Sequence, residues 1–202
     1  MKTSSPILKY LLKKDVQWSN HCVSILSKYT FFKSLKINCK FLEISCDGIA
    51  WLVSWVAFIW LLNSKSMLQM QVNMLVGLIL DIVVVAVLKS IVRRQRPVAI
   101  KDTLVIGPDK FSFPSGHSSR AFYVLIFFTK LYSLHPFFYL PLTAWAICVS
   151  LSRLILQRHY MLDIFAGAVI GVLEARFLEF IWISETFAGN IASFVGSSDE
   201  LE

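Results

Sequence analysis

The stretch FPSGHSSR, residues 113–120, stands between a polar loop and an apolar segment. Serine is a favoured helix cap, so the sequence predicts that a helix begins at or just after Ser115. The unpaired backbone N–H groups of a first helical turn and the positive end of the helix dipole form an anion-binding site. Gly116 lets an anion approach the backbone closely, and His117 places a proton donor beside it. We therefore predict an anion site here, with an ordinary capped helix start as the alternative.

The nearest polar cluster upstream reads KSIVRRQRP, residues 89–97. Lys89 and Arg96 are separated by about two helical turns, so both side chains can point the same way from one helix end. Two converging cations would bind a phosphate, and the planar fork of arginine suits a bidentate contact. A positively charged flank of a membrane span is the alternative for this cluster taken alone.

The downstream cluster, residues 152–163, reads SRLILQRHYMLD and ends where another apolar segment begins. His159 and Asp163 are one helical turn apart, so the carboxylate can hydrogen-bond one imidazole nitrogen and leave the other nucleophilic. Arg153 adds a further cation for the same phosphate. A structural bond or half of a metal site is the alternative, but no further pair of His or Cys ligands has matching spacing. The cluster therefore predicts a site without a metal ion.

Apolar segments surround these three clusters. The chain has 202 residues, of which 56% are hydrophobic, and its mean hydropathy is +0.63. This composition is typical of membrane proteins. We predict an all-α integral membrane bundle with about five spanning helices of near-bilayer length. The predicted spans are residues 42–62, 72–88, 121–134, 137–156 and 164–183.

The remaining segments predict one membrane-embedded domain with two flanks. Residues 1–40 mix lysines with aromatic side chains, which favours either an amphipathic segment on a membrane face or a disordered basic tail. Residues 41–184 form the membrane-embedded domain, and residues 185–202 form a carboxy-terminal tail. The formal net charge is +7, and its distribution favours membrane lipids and a phosphorylated lipid as partners over nucleic acid.

Together, the three clusters resemble the pattern of the type 2 phosphatidic acid phosphatase (PAP2) superfamily, which is KxxxxxxRP, PSGH and SRxxxxxHxxxD. Every fixed position is filled, and the strings stand in the family's order. The resemblance covers residues 42–183. It implies a helical core of the PAP2 and haloperoxidase kind and a phosphohydrolase that needs no metal ion or other cofactor.

The resemblance also implies a role for each residue of the pattern. His159 would attack phosphorus and form a phosphohistidine, and Asp163 would orient it. His117 would protonate the leaving oxygen and later activate water. The phosphate oxygens would be held by Lys89, Arg96, Arg153 and the backbone N–H groups near Ser115 and Gly116.

Three further ionisable residues lie outside the family pattern. Arg94 or Arg120 would reach the second phosphate of a diphosphate, with a simple membrane-edge charge as the alternative. Asp81 lies in the middle of a predicted span, where ionisable residues are costly and usually paired. We predict that it forms a structural bond between helices rather than taking part in catalysis.

The strings LKSIVRRQRP and FSFPSGH resemble those of the polyisoprenoid diphosphate/phosphate phosphohydrolases, also called presqualene diphosphate phosphatases. This resemblance implies presqualene, farnesyl and geranylgeranyl diphosphates and monophosphates as substrates. It also implies a place in the endoplasmic reticulum and nuclear envelope, and the positive-inside bias predicts an active site on the cytosolic side. The alternatives are a phosphatase for phosphatidate, lysophosphatidate or sphingoid phosphates, and an inactive lipid-binding scaffold.

Overall fold

The computed structural model of the protein describes residues 5–62, 64–98 and 107–196. These residues form an all-α fold, as predicted. The helices are α1 (Pro6–Leu26), α2 (Phe32–Ser45), α3 (Gly48–Leu62), α4 (Lys65–Val92), α5 (Gly116–Ile126), α6 (Tyr139–Ile155), α7 (Met161–Phe180) and α8 (Glu185–Gly196). A π-helical segment, Phe127–Leu131, continues α5, and short 3-10 turns occupy Gly107–Lys110 and Pro136–Phe138.

Helix α5 lies against α7 more extensively than any other described pair of helices. The close approach depends on Gly167 and Gly171 of α7. A Cβ atom added at Gly167 would collide with the carbonyl oxygen of Ser115, and one added at Gly171 would collide with that of Ser119. The start of α5 is therefore held directly against the backbone of α7, which brings the PSGH string next to the helix that follows His159.

An apolar core joins α5 and α7 to α4. Its buried members are Met70, Met74 and Leu78 of α4, Tyr123, Val124 and Phe127 of the α5 segment, and Ala175 and Leu178 of α7. Since packed cores resist displacement of their helices, this cluster holds the helix ends that carry the polar strings in one arrangement.

The first predicted span, residues 42–62, is not one straight helix. It is divided between α2 and α3, which meet at an angle of 48°. The carboxylate of Asp47 accepts a 3.0 Å hydrogen bond from the backbone N–H of Ala50. A side chain that caps a new helix competes with continuation of the previous one, and this accounts for the break.

The other spans begin and end within a few residues of the prediction, except that α4 is longer and α5 begins at Gly116. By length and composition, the segments Ser66–Val92 and Pro136–Ile155 can cross a membrane, and the bent pair α2 and α3 would make a third span. The prediction of about five spans also counted α5, which is short, and α7, which carries charged residues. By length and composition, these two helices do not qualify as membrane spans.

Both predicted flanks contain helix. Helix α1 lies in the segment predicted as an amphipathic stretch or disordered tail, and α2 crosses the predicted boundary at residue 41. Helix α8 occupies residues 185–196 of the predicted carboxy-terminal tail and packs against α4. Residues 197–202 lie outside the described part of the chain.

The contact between α5 and α7 gives a first prediction. Gly171→Ala should lower the melting temperature of the protein in detergent, because overpacking a tight interface costs about 1–3 kcal/mol. Gly189→Ala is the matched control, since a Cβ atom there has open space around it. Equal melting temperatures for the two variants, measured by thermal unfolding, would show that the helices do not need the glycine.

Candidate active site

The three polar strings meet at a cavity of ≈ 380 Å³. Its wall contains seven of the residues predicted from sequence, namely Lys89, Arg96, Gly116, His117, Arg120, Arg153 and His159. Ser115, Asp163 and Arg94 do not line the cavity. The structure thus gathers five cationic side chains around one space when Arg158, which was not predicted, is included.

Ser115 holds the start of α5 as the sequence predicts. Its side chain accepts a 3.4 Å hydrogen bond from the backbone N–H of Ser118. Its own backbone N–H donates to the carbonyl oxygen of Asp163 at 3.0 Å. The backbone of Gly116 is therefore presented to the cavity by a capped helix start that is tied to α7.

His159 is buried, with 2% of its surface exposed, and its Nδ1 atom lies 2.7 Å from the carbonyl oxygen of Ser112. A carbonyl oxygen only accepts hydrogen bonds, so Nδ1 carries the proton and Nε2 keeps a free lone pair. Burial lowers the pKa of His159 well below its usual range, and the positive charges of Arg153 and Arg96 lower it further. The ring is consequently neutral at neutral pH.

The hydrogen bond predicted between Asp163 and His159 is replaced by this contact with Ser112. Asp163 Oδ2 lies 3.9 Å from His159 Nδ1, within ion-pair range but beyond a hydrogen bond. Instead, Asp163 Oδ2 accepts a 2.9 Å bond from the backbone N–H of Tyr160. Because Asp163 is in the first turn of α7, its carboxylate turns back to cap that turn. The Asp163 carboxylate thus fixes the first turn of the helix that follows His159.

Arg94, predicted as one of two possible contacts for a second phosphate, does not line the cavity. Its guanidinium lies 2.7 Å from Asp15 and 2.7 Å from Asp163. It also lies 4.3 Å from the ring centroid of Tyr160. Asp15 belongs to α1 and to no recognisable motif, which is why the sequence did not reveal this arrangement.

Arg120 lines the cavity, and two buried groups hold its guanidinium in place. Its Nη2 atom lies 2.8 Å from Asp81 Oδ2, and its Nη1 atom donates to the carbonyl oxygen of Cys46 at 2.9 Å. The ion pair joins α4 to α5, as predicted for Asp81. It also holds the guanidinium in one place at the cavity wall.

His117 is positioned by a residue that the sequence did not single out. Its Nε2 atom lies 3.0 Å from the carbonyl oxygen of Glu43, so this nitrogen donates the proton. The Glu43 carboxylate lies 3.0 Å from Arg153 and 3.6 Å from Arg158. Burial lowers the pKa of His117 well below its usual range, with further lowering from Arg153 and Arg120. An isolated glutamate within an apolar run gives no spacing signal.

Asp109 is the second residue that the sequence did not identify. Its carboxylate lies 2.5 Å from Lys89 Nζ, while its carbonyl oxygen accepts bonds of 2.7 and 3.1 Å from Arg96. Burial and repulsion from Arg153 lower the pKa of Arg96 to about 10, so this side chain stays charged at neutral pH. Two carboxylates, of Glu43 and Asp109, therefore balance part of the positive charge around the cavity.

The helical membrane fold and the cationic cavity with its two histidines define a membrane phosphatase. The family follows from comparison with known proteins. The sequence model of the PAP2 superfamily matches residues 71–185. The probable lipid phosphate phosphatase beta of Arabidopsis thaliana is 32% identical over 176 residues, which cover 73% of this chain and 81% of that protein. The chain belongs to the PAP2 superfamily and is a lipid phosphatase of the PAP2 type.

Two solved structures share the fold. One is the first transmembrane PAP2-type phosphatidylglycerolphosphate phosphatase, from Bacillus subtilis, with a TM-score of 0.62 and 23% identity over 85% of this chain and 86% of that chain. The other is LpxE from Aquifex aeolicus, with a TM-score of 0.58 and 19% identity over 78% of this chain and 92% of that chain. The superfamily indicated by the three strings is therefore confirmed, and so is the helical membrane fold.

The ion pair at Lys89 gives a second prediction. Asp109→Asn should tighten the binding of inorganic phosphate by up to about fivefold, because an exposed ion pair contributes about 0.2–1 kcal/mol. The side chain of Asp109 is 69% exposed, so its replacement should leave the fold intact. Competitive inhibition by phosphate measures the change.

The matched control for Asp109→Asn is Glu179→Gln, which removes another exposed carboxylate paired with an arginine, Arg176. This control should leave phosphate binding unchanged. Weaker binding in Asp109→Asn would mean that the Asp109 carboxylate helps the anion to bind rather than competing with it.

Proposed function

We propose that this protein hydrolyses isoprenoid lipid diphosphates and monophosphates through a phosphohistidine on His159, without a metal ion. The observation that carries the proposal is the hydrogen bond from His159 Nδ1 to the Ser112 carbonyl oxygen, at 2.7 Å. It leaves Nε2 unprotonated on a ring that lines a cationic cavity. A neutral imidazole with a free nitrogen is a nucleophile that does not need to lose a proton first.

In the first step, the Nε2 lone pair of His159 forms a bond to phosphorus and the bond from phosphorus to the leaving oxygen breaks. The negative charge of the bound substrate favours the protonated form of His117, which takes a proton from solvent and then gives it to that oxygen. The leaving group is a lipid alcohol for a monophosphate and a lipid monophosphate for a diphosphate. The Glu43 carbonyl oxygen, 3.0 Å from His117 Nε2, holds the acid in place.

In the second step, His117 takes a proton from water, and the oxygen of that water attacks the phosphohistidine. Inorganic phosphate leaves and the His159 lone pair is restored. Throughout, Lys89, Arg96 and Arg153 stabilise negative charge on the phosphate oxygens, together with the backbone N–H groups at the start of α5. Asp163 caps the first turn of α7 and keeps the His159 segment in position.

Cationic side chains supply the charge that a metal ion supplies in many phosphatases. Within residues 5–62, 64–98 and 107–196, no three His, Cys, Asp or Glu side chains gather as metal ligands. Of the three acidic residues that line the cavity, Glu43 and Asp109 are engaged by cations, and the Asp47 carboxylate accepts a hydrogen bond from the backbone N–H of Ala50. These contacts support a metal-independent reaction.

An apolar groove supports a substrate with a hydrocarbon tail. The groove lies between α3 and α4 and is lined by Leu52, Val53, Val56, Ala57, Trp60, Leu75 and Ile79. The same two helices contribute Ile49, Ile82 and Val85 to the cavity wall. A lipid whose phosphate occupies the cavity would bury its tail against this surface.

Arg120 supports the choice of diphosphates. It lines the cavity but lies outside the family pattern, and Asp81 and the Cys46 carbonyl oxygen hold it in place. A fixed guanidinium beside the site of the reacting phosphate suits a second phosphate group. From the resemblance to the isoprenoid enzymes, we infer a place in the endoplasmic reticulum and nuclear envelope. From the positive-inside bias, we infer that the site faces the cytosol.

Glycerolipid phosphates are a second candidate substrate class. The observation in their favour is the similarity to proteins named a probable lipid phosphate phosphatase and a phosphatidylglycerolphosphate phosphatase. The cavity chemistry is the same for both classes, so rates on the two kinds of lipid distinguish them.

The test of the proposed function is phosphate release in detergent with EDTA from farnesyl diphosphate, presqualene diphosphate and phosphatidate. We expect release from the isoprenoid diphosphates and a loss of about 10³-fold or more in His159→Ala, because removing a nucleophile has effects of this size. The matched control is His135→Ala, since His135 is exposed and outside the cavity. A strict Mg²⁺ requirement would overturn the mechanism, and a preference for phosphatidate would overturn the substrate class.

The role of Arg120 is tested in the double variant Asp81→Asn/Arg120→Gln, which avoids leaving a buried carboxylate unpaired. Hydrolysis of farnesyl diphosphate should slow by about tenfold more than that of farnesyl monophosphate, because a lost charge-assisted hydrogen bond costs about 1.5–3 kcal/mol. Steady-state rates on both substrates give the ratio. An equal loss on the two substrates excludes a specific contact with the second phosphate.

A further inference from the structure

We propose that Asp15 of α1, acting through Arg94, is a positioning residue that aligns His159 for attack on phosphorus. This inference rests on the proposed function, in which His159 is the nucleophile. It assigns a role to the amino-terminal helix, which lies outside the residues matched by the family model.

Both carboxylate oxygens of Asp15 contact residues close to His159 in space or in sequence. Its Oδ1 atom accepts a 3.0 Å hydrogen bond from the backbone N–H of Leu162. Its Oδ2 atom lies 2.7 Å from Arg94 Nη2. Only 10% of the Asp15 side chain is exposed, so both contacts are shielded from solvent. A carboxylate at the amino end of a helix also interacts favourably with the helix dipole.

Ser19, one turn further along α1, makes a parallel contact. Its Oγ atom accepts a 3.0 Å hydrogen bond from the backbone N–H of Met161. The N–H groups of a first helical turn have no acceptor within their own helix. Helix α1 therefore caps α7 from outside, at the two residues where α7 begins, and His159 lies two residues before that start.

Arg94 connects this cap to the catalytic segment in two ways. Its side chain holds Asp163 Oδ1 at 2.7 Å as well as Asp15. Its carbonyl oxygen accepts a 2.7 Å bond from the backbone N–H of Ser112, whose own carbonyl oxygen accepts the proton of His159 Nδ1. A displacement of Arg94 would thus reach the His159 ring both through α7 and through Ser112.

The contact of α1 with the bundle is small. Among its residues, only Ser19 and Val23 are buried, and the lysine-bearing face is exposed. Loss of the Asp15 contacts should therefore leave the apolar core of α4, α5 and α7 intact. Loss of these contacts should instead lower the rate of the chemical step, because a displacement of about 1 Å at the reacting atoms slows an enzyme by about a hundredfold.

The experiment compares Asp15→Asn, Asp15→Glu and Ser19→Ala with the wild-type protein on farnesyl diphosphate in detergent. We expect Asp15→Asn to lower kcat by about tenfold to a hundredfold and to leave KM and the inhibition constant of phosphate unchanged, since it alters no cation of the cavity. Asp15→Glu should recover most of kcat, because it restores the charge and both acceptors. Ser19→Ala should lower kcat less, because Asp15 still caps Leu162.

A single-turnover measurement separates positioning from general structure. Formation of the phosphohistidine should slow in Asp15→Asn, while hydrolysis of the phosphohistidine already formed should not, since His117 and its contact with Glu43 are untouched. Glu179→Gln is the matched control: its carboxylate is in an exposed ion pair with Arg176, and both steps should keep their wild-type rates.

The outcomes distinguish this inference from the proposed function. If His159→Ala is inactive and Asp15→Asn keeps the wild-type kcat, the positioning role is wrong and the proposed function stands. A rise in KM alone, or a loss of kcat that matches a loss of folded protein on thermal unfolding, also overturns the positioning role. If His159→Ala keeps its activity, the proposed function fails and the inference fails with it.

Discussion

The hydrogen bond from His159 Nδ1 to the carbonyl oxygen of Ser112 is the contact on which the rest of the site depends. It sets the tautomer, and the tautomer decides which nitrogen is free. The acceptor is a backbone atom, so its position depends on the chain around it. Ser112 is in turn fixed by the carbonyl oxygen of Arg94 through its backbone N–H and its hydroxyl group. The orientation of the His159 ring therefore depends on the loop that precedes α5 as much as on α7.

A second constraint is the positive charge gathered in a partly enclosed space. Five cations line the cavity, and like charges brought together out of water repel strongly. Asp109 and Asp81 each pair with one of these cations, Glu43 pairs with two, and all three carboxylates lower this cost. They are not equivalent, since Asp81 is fully buried, whereas the Asp109 side chain is largely exposed. Asp81 holds Arg120 in a buried ion pair. Asp109 is the carboxylate that an incoming phosphate can most easily replace as the partner of Lys89.

Much of the cavity was predictable because its residues lie within short strings whose spacing reflects local geometry. Lys89, in the last turn of α4, and Arg96, four residues beyond its end, both line the cavity, and Ser115 caps the helix that presents Gly116 and His117. The partners of individual side chains were harder to predict. The sequence suggested His159 as the hydrogen-bond partner of Asp163. In the structure, the Asp163 carboxylate accepts hydrogen bonds from the backbone N–H of Tyr160 and from the guanidinium of Arg94. The sequence also suggested a substrate contact for Arg94, and the structure places the Arg94 guanidinium 2.7 Å from Asp15.

By itself, the sequence determined the all-α membrane fold, the superfamily and seven of the residues that line the cavity. Hydropathy, helix capping and the helical repeat are properties of neighbouring residues, so they can be read along the chain. Only the tertiary structure decided which nitrogen of His159 is free, that Glu43 and Asp109 balance the cavity cations, and that α1 caps α7. Those contacts join residues that are far apart in the chain, and a single aspartate or glutamate belongs to no periodic pattern that would indicate its partner. The packing of the helices brings each of them into contact, and the packing is decided by the whole chain.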